Sequence, residues 1–154
     1  DYDNWDVPTL QEEYNAYKQD NPLPYKELIF PDVLKVLNEV KSRGLKIGLA
    51  SSSVKADILR ALEENRLDCF FDVVLSGEEF KESKPNPEIY LTALKHLNVE
   101  ANQALIIEDS EKGIAAGVAA GVEVWAIKDN RFGMDQSAAK GLLDNLVDVL
   151  DLLK

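Results

Sequence analysis

From Pro31 onward, short apolar runs alternate with amphipathic segments along the chain. The first amphipathic segment, PDVLKVLNEVKSRG, carries apolar side chains at helical spacing, namely Val33, Val36, Leu37 and Val40. Pro31 suits the first turn of such a helix, and Gly44 suits its end. The segment therefore predicts a helix with one buried face.

The same alternation continues to the end of the chain. The predicted strands are LKIGLA, DVVLS, ALIIED and VEVWAIK, and the predicted helices are VKADILRALEENR, NPEIYLTALKHLN, KGIAAGVAAG and GLLDNLVDVLDLL. Asn86 is the expected N-cap of its helix, with Pro87 at the first position. Gly113, Gly117 and Gly121 would let their helix pack closely on a sheet. Strands alternating with helices predict an α/β fold with right-handed βαβ units and a parallel sheet.

The first 30 residues have a different character, since they are polar and aromatic and contain three prolines. TLQEEYNAYKQ predicts a helix capped at Thr9, and NPLPY ends it. We therefore expect residues 1–24 to be the tail of one element and a linker. Residues 25–154 would form the α/β unit.

Charge and composition narrow the range of partners. The formal net charge is −11, from 28 acidic and 17 basic residues, and an acidic surface disfavours general binding to nucleic acid. No apolar run reaches the roughly 18 residues of a membrane span, so we expect a cytoplasmic protein with no membrane partner. The single cysteine, Cys69, excludes an internal disulfide, and its apolar neighbours predict a buried thiol.

Polar side chains follow the predicted strands at the edge of the sheet where ligands bind in such folds. Ser51, Ser52 and Ser53 follow the first strand, Lys84 lies after the second, and Glu108 and Asp109 end the third. Hydroxyls, a cation and two carboxylates are therefore expected to face one crevice.

Each of these positions also has a purely structural explanation. The serines could form an anion site or simply cap a helix. Lys84 could reach a phosphate or lie solvated in a loop. Glu108 and Asp109 could share a Mg²⁺ ion, which binds through few carboxylates and keeps water and phosphate oxygens as its other ligands. Alternatively, their negative charges could simply interact favourably with the dipole at the N-terminus of the next helix. The residues alone leave these alternatives open.

Three segments together resemble the motifs of the haloacid dehalogenase-like hydrolases. GLASSS, SGEEFKESKPNPEIY and ALIIEDSEKGIAAGVAAG match the second, third and fourth motifs of that family, in order and with similar spacing. The similarity begins near Tyr25, and more narrowly the motifs resemble those of the branch that contains β-phosphoglucomutase and small sugar-phosphate phosphatases. It implies a three-layer, Rossmann-like parallel sheet and Mg²⁺-dependent chemistry on a small phosphorylated metabolite, with a sugar phosphate as the expected substrate.

The resemblance also implies roles for individual residues. Ser51 would bind the transferring phosphoryl group, and Lys84 would stabilise its charge and that of the nucleophile. Asp109 would ligate Mg²⁺, with Glu108 assisting directly or through water. Ser53 and Lys55 match loosely the positions where mutase-like members bind a distal phosphate. The full substrate-binding set implied is Ser51, Ser52, Ser53, Lys55, Lys84 and Asn86.

One departure from the family pattern is important. The family's nucleophile lies in a D-x-D-G motif at the end of a first strand, and only DYDN, at residues 1–4, has the D-x-D spacing here, without the strand or the glycine. The chain is therefore expected to be a C-terminal part of a longer protein. It would lack the central first strand, between the strands ending at Ala50 and Asp109, and most of the helical cap, of which residues 1–24 would be a remnant.

Two functions follow as expectations. The first is phosphoryl transfer through an aspartyl-phosphate in the full-length parent, as a phosphatase or a phosphomutase. The second is a non-catalytic phosphate-binding or interaction module, or an inactive C-terminal fragment. On its own the chain should be inactive, and its open sheet should pair with the missing segment or with another chain.

Overall fold

The computed structural model describes residues 7–21 and 23–153, and within them helices and parallel strands alternate. The α-helices are α1 (Val7–Asp20), α2 (Tyr25–Leu28), α3 (Val33–Ser42), α4 (Lys55–Glu64), α5 (Glu88–Leu97) and α6 (Glu111–Ala119). The strands are β1 (Gly48–Ser51), β2 (Val73–Ser76), β3 (Leu105–Glu108), β4 (Glu123–Ile127) and β5 (Gly141–Leu143). Short 3₁₀ turns connect them at Asp68–Phe70, Gly77–Glu79, Ala101–Gln103 and Leu146–Asp151. The predicted α/β class and the parallel pairing are confirmed.

The strands form two separate parallel sheets. One contains β1 and β2, with Ala50 opposite Leu75, and the other contains β3, β4 and β5 in that order. Within the described ranges, β1 and β3 are each hydrogen-bonded to a strand on one side only. No residue of either strand is fully buried, whereas strands inside a parallel sheet are normally covered on both faces.

Helices cover both faces of the two sheets. On one face, α5 and α6 pack with Ala50 of β1 and Ile106 of β3 in a shared apolar cluster. On the other face, α3 spans both sheets, because Leu37 packs against β1 and β2 while Val36 packs against the sheet of β3 and β4. Alternate residues of each strand therefore point to opposite helical layers, as period-2 side-chain geometry requires.

The glycines of α6 have two different uses. A Cβ on Gly117 would lie 2.6 Å from Val124 Cγ2, and one on Gly113 would lie 2.1 Å from Glu108 Cδ, so both allow the helix to approach the sheet closely. Gly121 instead has φ +75° with open space around it. The expectation of close packing is wrong for Gly121, whose left-handed backbone ends the helix.

The C-terminal segment departs from its predicted structure. GLLDNLVDVLDLL was expected to be a helix, but Gly141–Leu143 is a strand and Leu146–Asp151 is a 3₁₀ helix. Gly141 pairs with Trp125 in β4, and its missing side chain leaves room for the indole, which lies 2.4 Å from the ideal Cβ position. This cross-strand contact is tertiary, so helical periodicity could not show it.

Three smaller expectations are also corrected. The first helix begins at Val7, so Thr9 lies inside it rather than capping it. Helix α5 begins at Glu88, one residue later than expected, although the Asn86 side chain still accepts from the Glu88 N–H. Cys69 is exposed, not buried.

In the same described ranges, none of the helices combines the length and the apolar character needed to cross a bilayer.

Candidate functional site

Lys84 joins the two sheets at the carboxyl ends of their strands. Its ammonium group donates to Ala50 O of β1 at 3.1 Å, to the Tyr90 hydroxyl at 2.8 Å and to Glu108 Oε1 at the end of β3 at 2.5 Å. The side chain is only 7% exposed, so the solvated-loop alternative for Lys84 is wrong. The three contacts use all three ammonium protons, and they hold the cation between the ends of β1 and β3.

Glu108 is saturated with hydrogen bonds from the protein. Its Oε1 accepts from Lys84 and from the Tyr90 hydroxyl, while Oε2 accepts from Asp109 N at 3.1 Å and from the Ser110 N–H and hydroxyl at 3.3 and 3.0 Å. Burial raises the pKa of the Glu108 carboxyl, but the hydrogen bonds from Lys84 and Tyr90 outweigh this, so its pKa lies below the ordinary value. Glu108 is therefore a charged partner of Lys84.

Tyr90 is a site residue that the sequence pattern placed only in the core. The ring is buried in helix α5, and the Lys84 ammonium lies 4.7 Å from its centroid. Burial, together with the Glu108 carboxylate, raises the pKa of the Tyr90 hydroxyl, which therefore stays neutral and donates to Glu108. In the sequence, only its position six residues after Lys84 could have indicated a place near the site. Helical periodicity shows that a tyrosine is buried but not what its hydroxyl contacts.

Asp109 differs from its neighbour because its side chain is exposed. Within residues 7–21 and 23–153, its carboxylate makes no hydrogen bond or ion pair. Its backbone is held on both sides, since Asp109 N donates to Glu108 Oε2 and Asp109 O accepts from Gln136 Nε2 at 2.8 Å. The next residue, Ser110, caps α6 by accepting from Gly113 N. The helix cap thus fixes the turn from which Asp109 projects.

The carboxylates fit Mg²⁺ only in part. Mg²⁺ is commonly held by one or two carboxylates with water and phosphate oxygens, and Asp109 offers such a carboxylate. Glu108 could ligate an ion directly only by giving up one of its present donors, so assistance through water agrees better with its contacts. No group of three or more acidic, histidine or cysteine side chains able to hold a metal occurs in the described part of the chain. In these residues, a Mg²⁺ ion would therefore have Asp109 as its one exposed carboxylate of this pair.

The serine run lies at the end of β1 and does not cap the next helix. Helix α4 has no side-chain cap at its N-terminus, and the Lys55 N–H instead donates to Glu78 Oε2 at 2.6 Å. Ser51 Oγ accepts from Ser53 N at 3.1 Å, and Ser53 O accepts from the buried Ser76 hydroxyl. Ser52 is exposed. Among residues 7–21 and 23–153, the Ser51 hydroxyl donates to no protein acceptor, so its proton is available for a ligand.

Two predicted substrate-binding residues make their contacts elsewhere. The Lys55 ammonium donates to Val74 O at 2.6 Å and pairs with Glu79 at 3.2 Å. Asn86 donates to Glu82 and accepts from the N–H at the start of α5. None of these contacts involves Ser51, Lys84 or the two carboxylates, so a substrate role for Lys55 and Asn86 stays a prediction. The DYDN segment lies outside the described residues.

A family model and related sequences each match most of this chain. Residues 1–127 match the family model described as haloacid dehalogenase-like hydrolase. A phosphorylated carbohydrates phosphatase of Thermotoga maritima is 40% identical over 129 residues, which cover 80% of this chain and 59% of that protein. The pyrophosphatase PpaX of Bacillus mycoides is 27% identical over 154 residues, covering 96% and 71% of the two chains.

A solved structure shows the same arrangement of the fold. The crystal structure of a Thermotoga maritima protein provisionally named a beta-phosphoglucomutase has a TM-score of 0.74 and 32% identity to this chain. The match covers 80% of this chain and 60% of that protein. The chain therefore spans about three fifths of the length of these two Thermotoga maritima proteins.

Proposed function

The chain belongs to the haloacid dehalogenase-like hydrolases, and we propose that it forms the phosphate-binding part of a Mg²⁺-dependent phosphohydrolase. The proposed substrate is a small phosphorylated metabolite, with a sugar phosphate as the first candidate. The 40% identity to a phosphatase described as acting on phosphorylated carbohydrates supports this choice.

The buried pair of Lys84 and Glu108 is the observation that carries the proposal. The two side chains are only 7% and 9% exposed, and their charged atoms are 2.5 Å apart. Burying such a pair often stabilises a fold no better than apolar residues of similar size do. Its place at the carboxyl ends of parallel strands, where ligands bind in open α/β sheets, supports a role in ligand chemistry.

The proposed division of labour follows from the contacts. Ser51 donates its free hydroxyl proton to an oxygen of the phosphoryl group, and Lys84 offsets negative charge between the two sheets. Asp109 supplies an exposed carboxylate for Mg²⁺, and Glu108 keeps Lys84 in place. A bound Mg²⁺ would offset phosphate charge and orient the phosphoryl oxygens. Ser52, Ser53, Lys55 and Asn86 stay candidates for contacts to the rest of the substrate.

The nucleophile in this proposal comes from an upstream segment. An aspartate oxygen forms a bond to phosphorus as the bond from phosphorus to the substrate oxygen breaks, and the departing oxygen takes a proton from the second aspartate of the upstream D-x-D-G motif. Water then hydrolyses the aspartyl-phosphate and releases inorganic phosphate. The open edges of β1 and β3 support a further parallel strand between them, which would bring this aspartate next to Lys84. Residues 1–24 would then be a remnant of the helical cap.

A non-catalytic phosphate-binding module is the second candidate. It needs only groups that this chain contains at the carboxyl ends of its strands, where Lys84 bridges Ala50 and Glu108. In that case Ser51, Lys84 and Asp109 would bind a phosphorylated ligand in the presence of Mg²⁺ without turning it over.

An assay of the full-length protein separates these functions. We expect release of inorganic phosphate from sugar phosphates that stops when EDTA removes Mg²⁺. Lys84→Ala should lower kcat/KM by about 100-fold or more, the usual scale for losing one group that stabilises transition-state charge. Lys46→Ala is the control, because Lys46 lies before β1 at the opposite end of the strand and donates to Leu97 O.

Ser51→Ala is the second test, because it leaves the buried ion pair intact. We expect a loss of activity with only a small change in the unfolding temperature, because the variant loses just the hydrogen bond from the exposed Ser53 N–H. Turnover that survives both EDTA and Lys84→Ala would contradict the proposed chemistry. Phosphate binding without turnover would favour the non-catalytic module, and interconversion of sugar phosphates without phosphate release would replace the phosphatase by a mutase.

A further inference from the structure

Gln136 makes three hydrogen bonds with its side-chain amide, and they connect separate parts of the site. Its Nε2 donates to Asp109 O and to Ile127 O, both at 2.8 Å, and its Oε1 accepts from Asp129 N at 3.0 Å. Asp109 follows β3, Ile127 ends β4, and Asp129 begins the loop that leads to β5. One half-buried side chain thus joins the carboxyl ends of two neighbouring strands.

The loop that carries Gln136 is itself well organised. The Asp129 side chain is only 5% exposed, and its carboxylate accepts from the N–H groups of Arg131, Phe132 and Met134 at 2.9, 3.0 and 3.2 Å. These bonds fold residues 129–134 around one carboxylate. Gln136 therefore extends from a loop of defined shape, which is a condition for holding another residue in place.

The bond to Asp109 O completes the support of that residue. Asp109 N is held by Glu108 Oε2, and Asp109 O is held by Gln136 Nε2, so the backbone is fixed on both sides while the carboxylate stays exposed. Groups that hydrogen-bond around a metal ligand set its orientation, and their loss typically lowers metal affinity or activity by about 10- to 100-fold. The backbone contact at Asp109 gives Gln136 this kind of influence.

We propose that Gln136 is a positioning residue that fixes the direction of the Asp109 carboxylate and thereby sets the affinity of the site for a divalent cation. The proposal rests on the proposed function, because that function gives Asp109 its role as a Mg²⁺ ligand. It adds the loop after β4 to the site, although no residue of this loop was singled out by its sequence.

Gln136→Met tests the proposal, because methionine has nearly the same length and shape but no amide. Gln103→Met is the matched control: Gln103 also accepts a backbone N–H with its amide, from Glu100, but it lies before β3, at the opposite end of that strand. Both variants are made in the full-length protein. Mg²⁺ binding is measured by isothermal titration without substrate, and the unfolding temperature is measured without metal.

We expect Gln136→Met to raise the Mg²⁺ dissociation constant on the order of tenfold, while Gln103→Met leaves it unchanged. Equal Mg²⁺ affinity of Gln136→Met and the unsubstituted protein, with a lowered unfolding temperature, would overturn the inference, since the amide would then only brace the loop. If the unsubstituted protein binds no Mg²⁺ at all, the proposed function fails together with the inference. The two failures are therefore distinguishable.

Discussion

At the scale of single residues, the site depends on how a buried charge is compensated. Lys84 and Glu108 are both almost completely removed from solvent, and each is satisfied by several partners. Tyr90 contacts both members of this ion pair, because its hydroxyl accepts from Lys84 and donates to Glu108. Its removal would leave one partner fewer for each of two buried charges.

Tyr90→Phe should therefore destabilise the protein although the ring is kept. Leaving buried hydrogen-bonding groups without a partner typically costs about 1–3 kcal/mol, so we expect the free energy of unfolding at pH 7 to fall by about that amount. Urea denaturation measures it. Tyr25→Phe is the control, because the Tyr25 ring lies against Arg60 at 5.1 Å, away from the site.

The same substitution should change the acid dependence of stability. The pKa of Glu108 is lowered in the folded protein, so the carboxylate contributes stability above its unfolded pKa, and that contribution is lost as the pH falls. The Tyr90 hydrogen bond lowers this pKa, and without it the pKa of Glu108 should rise. The loss of stability between pH 7 and pH 3 should then be smaller in Tyr90→Phe. An unchanged pH dependence would show that Tyr90 does not influence the ionisation of Glu108.

The residue-scale picture could be predicted in part. Spacing and resemblance selected Ser51, Lys84 and Asp109 at or after strand ends, and the structure places them there, while their chemical roles stay predictions. They did not select Tyr90 or Gln136, since each acts through a contact between elements distant in sequence. A buried tyrosine at helical spacing is indistinguishable from any other core aromatic until the helix is docked.

At the scale of elements, α6 connects the packing of the core to the geometry of the site. Its first turn contains Gly113, whose ideal Cβ would lie 2.1 Å from Glu108 Cδ. One turn later, Gly117 faces Val124 of β4, with 2.6 Å to Val124 Cγ2. The two glycines have the same packing requirement, but only Gly113 faces a residue of the site.

Gly113→Ala and Gly117→Ala form a matched pair of tests. Both force an added methyl group into occupied space, and overpacking typically costs about 1–3 kcal/mol, partly offset by up to about 1 kcal/mol of better helix propensity. We expect both variants to unfold at lower urea concentration. Only Gly113→Ala should also lower kcat/KM in the full-length protein, because it displaces the Glu108 carboxylate from Lys84. Equal loss of activity in the two variants would contradict this distinction.

The elements themselves show where sequence patterns are sufficient. Strands β1 to β4 and helices α3 to α6 agree with their predicted positions within a few residues, since each has a strong period of 2 or 3.6 or a continuous apolar run. The segment after Lys140 was predicted as a helix because its leucines and valines are spaced for one. Pairing of Gly141 with Trp125 overrides that local preference.

At the scale of the whole molecule, the break between the two sheets is the dominant feature. It lies between β1 and β3, the two strands between which the family resemblance places a further strand. Helix α3 crosses the break on one face, and Lys84 bridges it at the carboxyl ends. The backbone N–H and C=O groups on the open edges of β1 and β3 therefore need hydrogen bonds from another strand or from water.

The open edges lead to a prediction about how the chain behaves alone. Unpaired buried backbone groups cost about 1–3 kcal/mol each, against a typical total stability of about 5–15 kcal/mol, so a few of them would remove much of the stability. Residues 1–154 produced alone should therefore be weakly stable or self-associated.

The amides of β1 and β3 that do not bond to β2 or β4 should exchange rapidly with deuterium in a monomer. In the full-length protein the same amides should be protected, because a strand inserted in the break would accept their hydrogen bonds. Slow exchange at both edges in a monomeric chain of residues 1–154 would refute the added strand, while protection that appears only on dimerisation would assign the break to a second copy.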